Sequence, residues 1–302
     1  MKIAMNKGYF FIILTAFLYS TQEITAKMLS SAKLDPFQVV FIVFLIAAIM
    51  MTFQAGKDLK KRRIKIHPKD IGYFFVLGTL CIPVSLSLMQ IAVGYIQASV
   101  VAIIFSTNAV FTVPFAYLLL KEKITKSTAL SMGLCLLGVA AILNPFSLDG
   151  MSDKSNLIGI GLSALSAVSF SLYSVLAAKK IHYYGGYILN CFSFFCGVLV
   201  IFGLLLVTDR PVFSGITLDT LEILLYMGIC IKGFGYIFYL KAIRDTSAVI
   251  ASTVFLIKTA LAPLLAFLIL GDRLYLNTIL GIVLVFAGSC LGYRAKSKGV
   301  QA

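Results

Sequence analysis

The chain has 302 residues, 60% of them hydrophobic and only 13% charged, against roughly 25% charged in ordinary soluble proteins. Its mean hydropathy is +0.99, and windows of the ~20 apolar residues that a spanning helix needs recur almost end to end, which excludes a soluble domain. The net charge of +14 is not a nucleic-acid footprint, because the basic residues recur in the gaps between apolar runs and form no single patch.

Ten membrane-spanning helices are expected, roughly at residues 8–28, 36–55, 71–95, 97–120, 127–144, 156–179, 185–207, 219–243, 246–270 and 275–293. Lys2 and Lys7 ahead of the first run suggest a signal peptide. That run is too long, however, carries Glu23 and is followed by no small-residue cleavage site, so it reads as the first helix. Thr15, Tyr19 and Glu23 share one face there, and a polar stripe on an apolar helix points inward. Lys27 is expected at the outer boundary, as an interfacial anchor making an i, i+4 pair with Glu23. The charge run Gly56–Asp70 reads as a solvated loop. Gln90, on the third helix, lies at about the depth of Glu23. On the fourth, Ser106, Thr107 and Thr112 are expected to bond back to their own helix. Gly159, Ser163, Ala167 and Ser171 form a small-residue ridge on the sixth, sufficient for close helix packing.

The sharpest signals are Glu23, Lys232 and Lys258, three charges inside apolar helices. Each costs about 2.5–3.5 kcal/mol at a helix centre on an insertion scale, so they must face a cavity or one another. At ~1.5 Å per residue, Lys232 and Lys258 fall near the midplane, whereas Glu23 falls toward the outer leaflet. Lys232, Tyr236 and Tyr239 share a face of the eighth helix. Either tyrosine can flank a substrate while donating a hydrogen bond, or simply pack. The six cysteines (Cys81, Cys135, Cys191, Cys196, Cys230, Cys290) lie in apolar runs without a CxxC pair, and His67 and His182 sit in basic gaps. They read as small buried hydrophobes, not metal ligands or disulfides.

With the N-terminus placed in the cytoplasm, nineteen of the 26 basic residues fall on that side. Five fall outside (Lys27, Lys33, Lys154, Arg210, Arg273), so both termini are expected inside. The chain also repeats. Leu118–Ile142 aligns without gaps on Leu268–Gly292, 150 residues later, matching Glu122 with Asp272, Lys123 with Arg273, Thr128 with Thr278 and Gly138 with Gly288. Gly8, Ala16 and Ser20 fall similarly on Gly159, Ala167 and Ser171. Five helices separate the copies, so an odd number inverts them, and inverted repeats supply two-sided access to a site between them. In that register Asn108 occupies the place of Lys258.

The doubled junctions Lys121–Thr125 ("KEKIT") and Gly271–Leu274 ("GDRL") are each followed by a glycine-punctuated helix. "QIAVGYIQAS" (Gln90–Ser99) and "LKAIRDTSAV" (Leu240–Val249) precede them. On these the chain resembles the EamA type of the drug/metabolite transporter superfamily. The resemblance implies ten helices as two inverted five-helix units, at residues 1–146 and 156–295. It also implies a central cavity walled by helices 1, 3, 4, 6, 8 and 9, and export or exchange of small metabolites, often amino acids. There is no tryptophan, so an aromatic wall must use Tyr and Phe.

The expected function is secondary transport of a small polar metabolite, an amino acid or related organic anion, across the cell membrane. Lys258, Lys232, Asn108, Tyr19, Tyr236, Tyr239 and Gln90 are the expected substrate contacts, Glu23 the proton-coupling group or a structural partner of a lysine. Two cations and one carboxylate leave one surplus positive charge, which suits a carboxylate-bearing substrate with Glu23 free to meet an amine. Lys258→Met is expected to keep the fold, since it removes a buried charge. The expected partners are a small-molecule substrate and the lipid bilayer, without cofactor, metal or nucleic acid. An integral-membrane enzyme would need a metal or nucleophile constellation, and a channel rings of like charge. A phosphate or nucleotide-sugar exchanger would favour arginine in the cavity.

Overall fold

The computed structural model describes residues 2–122, 126–143 and 154–270, with separate positions between 276 and 291. Regular structure among the described residues is entirely helical. The runs are α1 (Lys2–Ser20), α2 (Gln22–Ser31), α3 (Pro36–Arg62), α4 (Pro68–Thr79), α5 (Ser87–Tyr95), α6 (Ala98–Ser106), α7 (Asn108–Leu120) and α8 (Lys126–Leu143). After them come α9 (Lys154–Val207), α10 (Leu218–Tyr226), α11 (Tyr236–Asp245), α12 (Ala248–Ala251) and α13 (Thr253–Leu270). Two π-helical segments, Leu80–Leu86 and Met227–Gly235, join α4 to α5 and α10 to α11. Lys123–Thr125, Gly271–Leu274, Asp149–Asp153 and most of the tenth expected helix lie outside the described residues.

Among the described residues, five runs are long and apolar enough to cross a membrane: Pro36–Arg62, Pro68–Tyr95, Val100–Leu120, Asn156–Val207 and Leu218–Asp245. The fourth holds two of the expected spans. It folds back at Gly185, whose φ of 75° and ψ of 169° break the helix, a conformation open to glycine and costly for other residues. Elsewhere single expected spans are interrupted: the first at Thr21, the fourth at Thr107, the ninth at Ser252. In the third, Pro83 sits within the π segment. Proline lacks the N–H and crowds the carbonyl one turn back, and the wider π turn accommodates both.

The two halves keep the same register. Pro68 and Leu218 begin helices, Tyr95 and Asp245 end them, Ala98 and Ala248 begin the next, and Leu120 and Leu270 end those, each pair 150 residues apart. Their closest crossings correspond too. Gly78 meets α9 so tightly that a Cβ there would stand 2.6 Å from the Gly197 nitrogen, and a Cβ on Gly228 would stand 2.8 Å from Ile46.

The Gly56–Asp70 expectation is corrected. Helix α3 continues through this run to Arg62, and Asp70 is buried in the first turn of α4. Asp70 accepts from Lys180 Nζ at 2.5 Å and from the Tyr184 hydroxyl. Arg62 reaches the carbonyl oxygens of His182, Tyr183 and Tyr184 at 2.9–3.4 Å. A helix of basic residues stays folded here because its lysines project outward while Arg62 satisfies the carbonyls left bare at the Gly185 turn. At the other end of α3, Asp35 caps the helix through Phe37 N at 2.9 Å and receives Arg210 at 2.8 Å.

Large apolar side chains such as Phe10, Phe17, Phe53, Leu118 and Leu199 are exposed on the outside, where lipid would cover them. The interior is a continuous cluster of aromatic and aliphatic residues drawn from every long run.

Candidate central binding site

The small-residue ridge of α9 brings the halves together as its spacing suggests. Ser171 Oγ donates to the Asn108 carbonyl at 2.8 Å, and a Cβ on Gly159 would meet Ile96 at 2.8 Å. Ser106, Thr107 and Thr112 bond back to Ala102, Ile104 and Asn108, as their spacing implies. With those hydroxyls used locally, the polar groups left for the interior are few and specific.

Glu23 stands in the first turn of α2, where the helix dipole favours a carboxylate. Its Oε1 receives Lys258 Nζ, and both side chains are all but inaccessible to solvent. The residue before it, Gln22, receives Lys232 Nζ at 2.9 Å through Oε1 and turns its amide nitrogen to Met89 Sδ at 3.1 Å. Two consecutive residues of α2 therefore hold both midspan lysines, one by charge and one by a neutral amide. Lys232 lies midway between Leu218 and Asp245, on the π segment. Segments of that kind leave local backbone groups free and are frequent at functional sites. Aromatic faces complete the setting of each cation. Lys258 Nζ is 5.2 Å from the Phe105 centroid, and Lys232 Nζ is 5.3 Å from Phe44 and 5.8 Å from Tyr236.

Two expectations about Glu23 are corrected. Its partner is Lys258, not Lys27, whose ammonium donates to the Val93 carbonyl at 2.9 Å. The depth difference inferred from helix position is also bridged, because a lysine's four-carbon stem carries its charge well away from its own backbone. The pairing also bears on Lys258→Met: removing the lysine would strand a buried carboxylate, and breaking a buried pair costs about 3–5 kcal/mol, so the variant is now expected to lose stability.

Around these charges lies a box of rings. Tyr19 is 5.6 Å from Tyr236, 6.3 Å from Tyr239 and 5.8 Å from Phe255, and Phe170 contacts Phe105, Tyr236, Tyr239 and Phe255 at 5.2–6.2 Å. Tyr19 fits because Gly235 opposes it: a Cβ there would come within 2.7 Å of its ring. Tyr239 donates to Ser174 at 3.0 Å, and the Tyr236 hydroxyl lies 3.5 Å from Cys81 Sγ. Asn108 donates to the Phe105 carbonyl at 2.8 Å, and Gln90 to the Ala26 carbonyl at 3.2 Å. Glu23 Oε2, Asn108 Oδ1 and the Tyr19 hydroxyl are buried without a hydrogen-bond partner among the described residues. Such groups cost about 1–3 kcal/mol each.

Glu23, Lys258, Lys232, Tyr19, Tyr236 and Tyr239 are thus brought into one closed cluster, while Asn108 and Gln90 each donate to a backbone carbonyl. The implied open cavity is instead packed: none of the expected site residues is more than 3% exposed.

This arrangement sits in a chain matched by the model of the EamA-like transporter family over residues 6–144 and 157–294. The chain belongs to that family. It is 52% identical over 296 residues to an uncharacterized transporter of Clostridium kluyveri, covering 97% of this chain and 95% of that one. An uncharacterized transporter of Archaeoglobus fulgidus is 24% identical over 287 residues, with 95% of each chain covered. A riboflavin transporter, ImpX, of Fusobacterium nucleatum is 30% identical over 181 residues, covering 57% of this chain and 59% of that protein. A solved crystal structure matches 96% of both chains with a TM-score of 0.70 at 14% identity, a likeness of fold. With its apolar helices, this makes the chain a multi-pass membrane transporter.

Sequence reasoning missed Gln22, Met89, Phe105, Phe170 and Phe255. The adjacency of Gln22 to Glu23 was the one available signal. The phenylalanines were indistinguishable from the chain's twenty-one others until packing selected them.

Proposed function

We propose that the chain is a secondary transporter of ten spans in two inverted five-helix repeats, residues 1–146 and 156–295, with both termini cytoplasmic. It exports or exchanges a small carboxylate-bearing metabolite, such as an amino acid, across the cell membrane. The supporting observation is the pairing of Gln22–Glu23 with the two lysines. The acceptor that Lys232 reaches is the neutral Gln22 amide, and Glu23, whose charge also acts on it, is held by Lys258, so a substrate carboxylate would supply a direct counter-charge. Glu23 Oε2 remains to accept an amine. An uncompensated buried charge is what binding removes.

Glu23 is the proposed coupling group: a carboxylate held by Lys258 in one state and protonated in another links proton movement to transport. Reconstituted protein is tested in vesicles with a panel of amino acids and small organic acids, with and without an imposed pH gradient. Glu23→Gln is expected to lose pH-driven efflux and keep substrate-for-substrate exchange. Unchanged pH-driven efflux removes the proton role.

A second reading has a specific basis. The ring box of Tyr19, Phe105, Phe170, Tyr236, Tyr239 and Phe255 suits a planar heteroaromatic solute, and one relative is named a riboflavin transporter. Riboflavin in the same panel separates the readings.

A further inference from the structure

Away from the central cluster, at the Arg62 end of α3, a cavity of about 200 Å³ lies between three elements: α3, the Gly185 turn of α9, and α11. That volume equals roughly seven water molecules at ~30 Å³ each. Its charged lining is Arg62, Lys241 and Arg244 against one carboxylate, Asp58, with His182 and the Gly185 backbone completing the wall. Arg62 already serves three carbonyls, Arg244 is paired with Asp245 at 2.7 Å, and Asp58 accepts from Gln54 at 3.1 Å. Lys241 is different. It is half-buried over the rings of Phe11, Tyr187 and Phe238 at 5.2–5.8 Å, and no anion among the described residues faces it within ion-pair distance. Lys57, Lys60, Lys61, Arg63 and Lys65, neighbours of Arg62 along the chain, are exposed, so the field at this end of α3 draws anions.

We infer that this cavity is a binding site for a phosphate-bearing anion, which bridges the end of α3, the α9 turn and α11. Lys241 supplies the free point charge, Arg62 and Arg244 the planar donors suited to phosphate oxygens. The phosphate could belong to an anionic phospholipid headgroup, since basic pockets between spanning helices take such groups, or to a free phosphate. The inference is independent of what the central cluster transports.

The test measures thermal unfolding of the purified full-length protein. One arm titrates inorganic phosphate against chloride at matched ionic strength. The other compares bicelles containing phosphatidylglycerol with pure phosphatidylcholine. A ligand bound by the folded state alone raises the midpoint with concentration. The wild type is expected to respond, and Lys241→Gln combined with Arg244→Gln to weaken the response at least tenfold in ligand concentration. A response to phosphatidylglycerol alone assigns the lipid headgroup, and one to phosphate alone the free anion. If the double variant does not fold, Asp58→Asn decides, since losing the cavity's carboxylate should tighten binding about threefold or more. No response in the wild type overturns the inference. So does an undiminished response in the double variant, or unchanged or weaker binding in Asp58→Asn.

Discussion

Positions 150 residues apart occupy the same places along their helices, yet Asn108 stands where the second half has Lys258, and Ile82 where it has Lys232. The first and sixth expected helices, in their own register of 151, reverse the imbalance: Gln22 and Glu23 answer to Tyr173 and Ser174. Helix boundaries are thus duplicated while the charge is split, acceptors from one half and cations from the other. Joined across the interface they neutralise each other in part. The lesson is physical. A backbone repeat needs only matching caps, breaks and close crossings, whereas a buried charge needs a partner, and a strictly duplicated lysine would face another lysine.

The comparison breaks most sharply at its charged member. Lys258→Met should lose transport and cost about 3–5 kcal/mol, because Glu23 is left buried and unpaired. At the matching slot, Asn108→Leu should cost only about 1 kcal/mol, the worth of one neutral hydrogen bond. Combining Glu23→Gln with Lys258→Met should restore most of the stability and none of the transport. Thermal unfolding of these variants, of Glu23→Gln alone and of the wild type in detergent checks this, and additive losses in the double variant would show that the pair is not coupled.

A smaller effect probes the shared crossings. Gly78→Ala drives a methyl into the backbone of α9, and overpacking should reach about 3 kcal/mol or more. Its counterpart Gly228→Ala meets Ile46 at its Cβ and Cγ2, 2.8 Å away. It should cost less, nearer about 2 kcal/mol, since the contact is with a side chain that can shift slightly and not with backbone atoms. Equal midpoints for the two variants would contradict the asymmetry.

The mildest test leaves stability alone. Lys61 and Pro211, 150 residues apart and exposed, should lie on opposite sides of the membrane if the repeats are inverted. In a background lacking the six native cysteines, Pro211→Cys should react with an impermeant thiol reagent in intact cells. Lys61→Cys should react only after the membrane is opened. Labelling of both from outside would end the inverted arrangement.

By itself the sequence determined the class, the apolar runs, the repeat register and the family, because each depends on local quantities: apolar length, glycines and loop charge. It also marked Glu23, Lys232 and Lys258, since a charge in an apolar helix is conspicuous whatever surrounds it. Only the tertiary structure decided who pairs with whom. Lys27 is four residues from Glu23 and was the obvious partner on helical spacing, but its side chain is taken by Val93, and Lys258 arrives from 235 residues away. The same holds for Arg62, which looked like one charge in a solvated run and instead secures the Gly185 turn. Side-chain reach and helix crossing set these pairings, and neither is written in the spacing of residues along one helix.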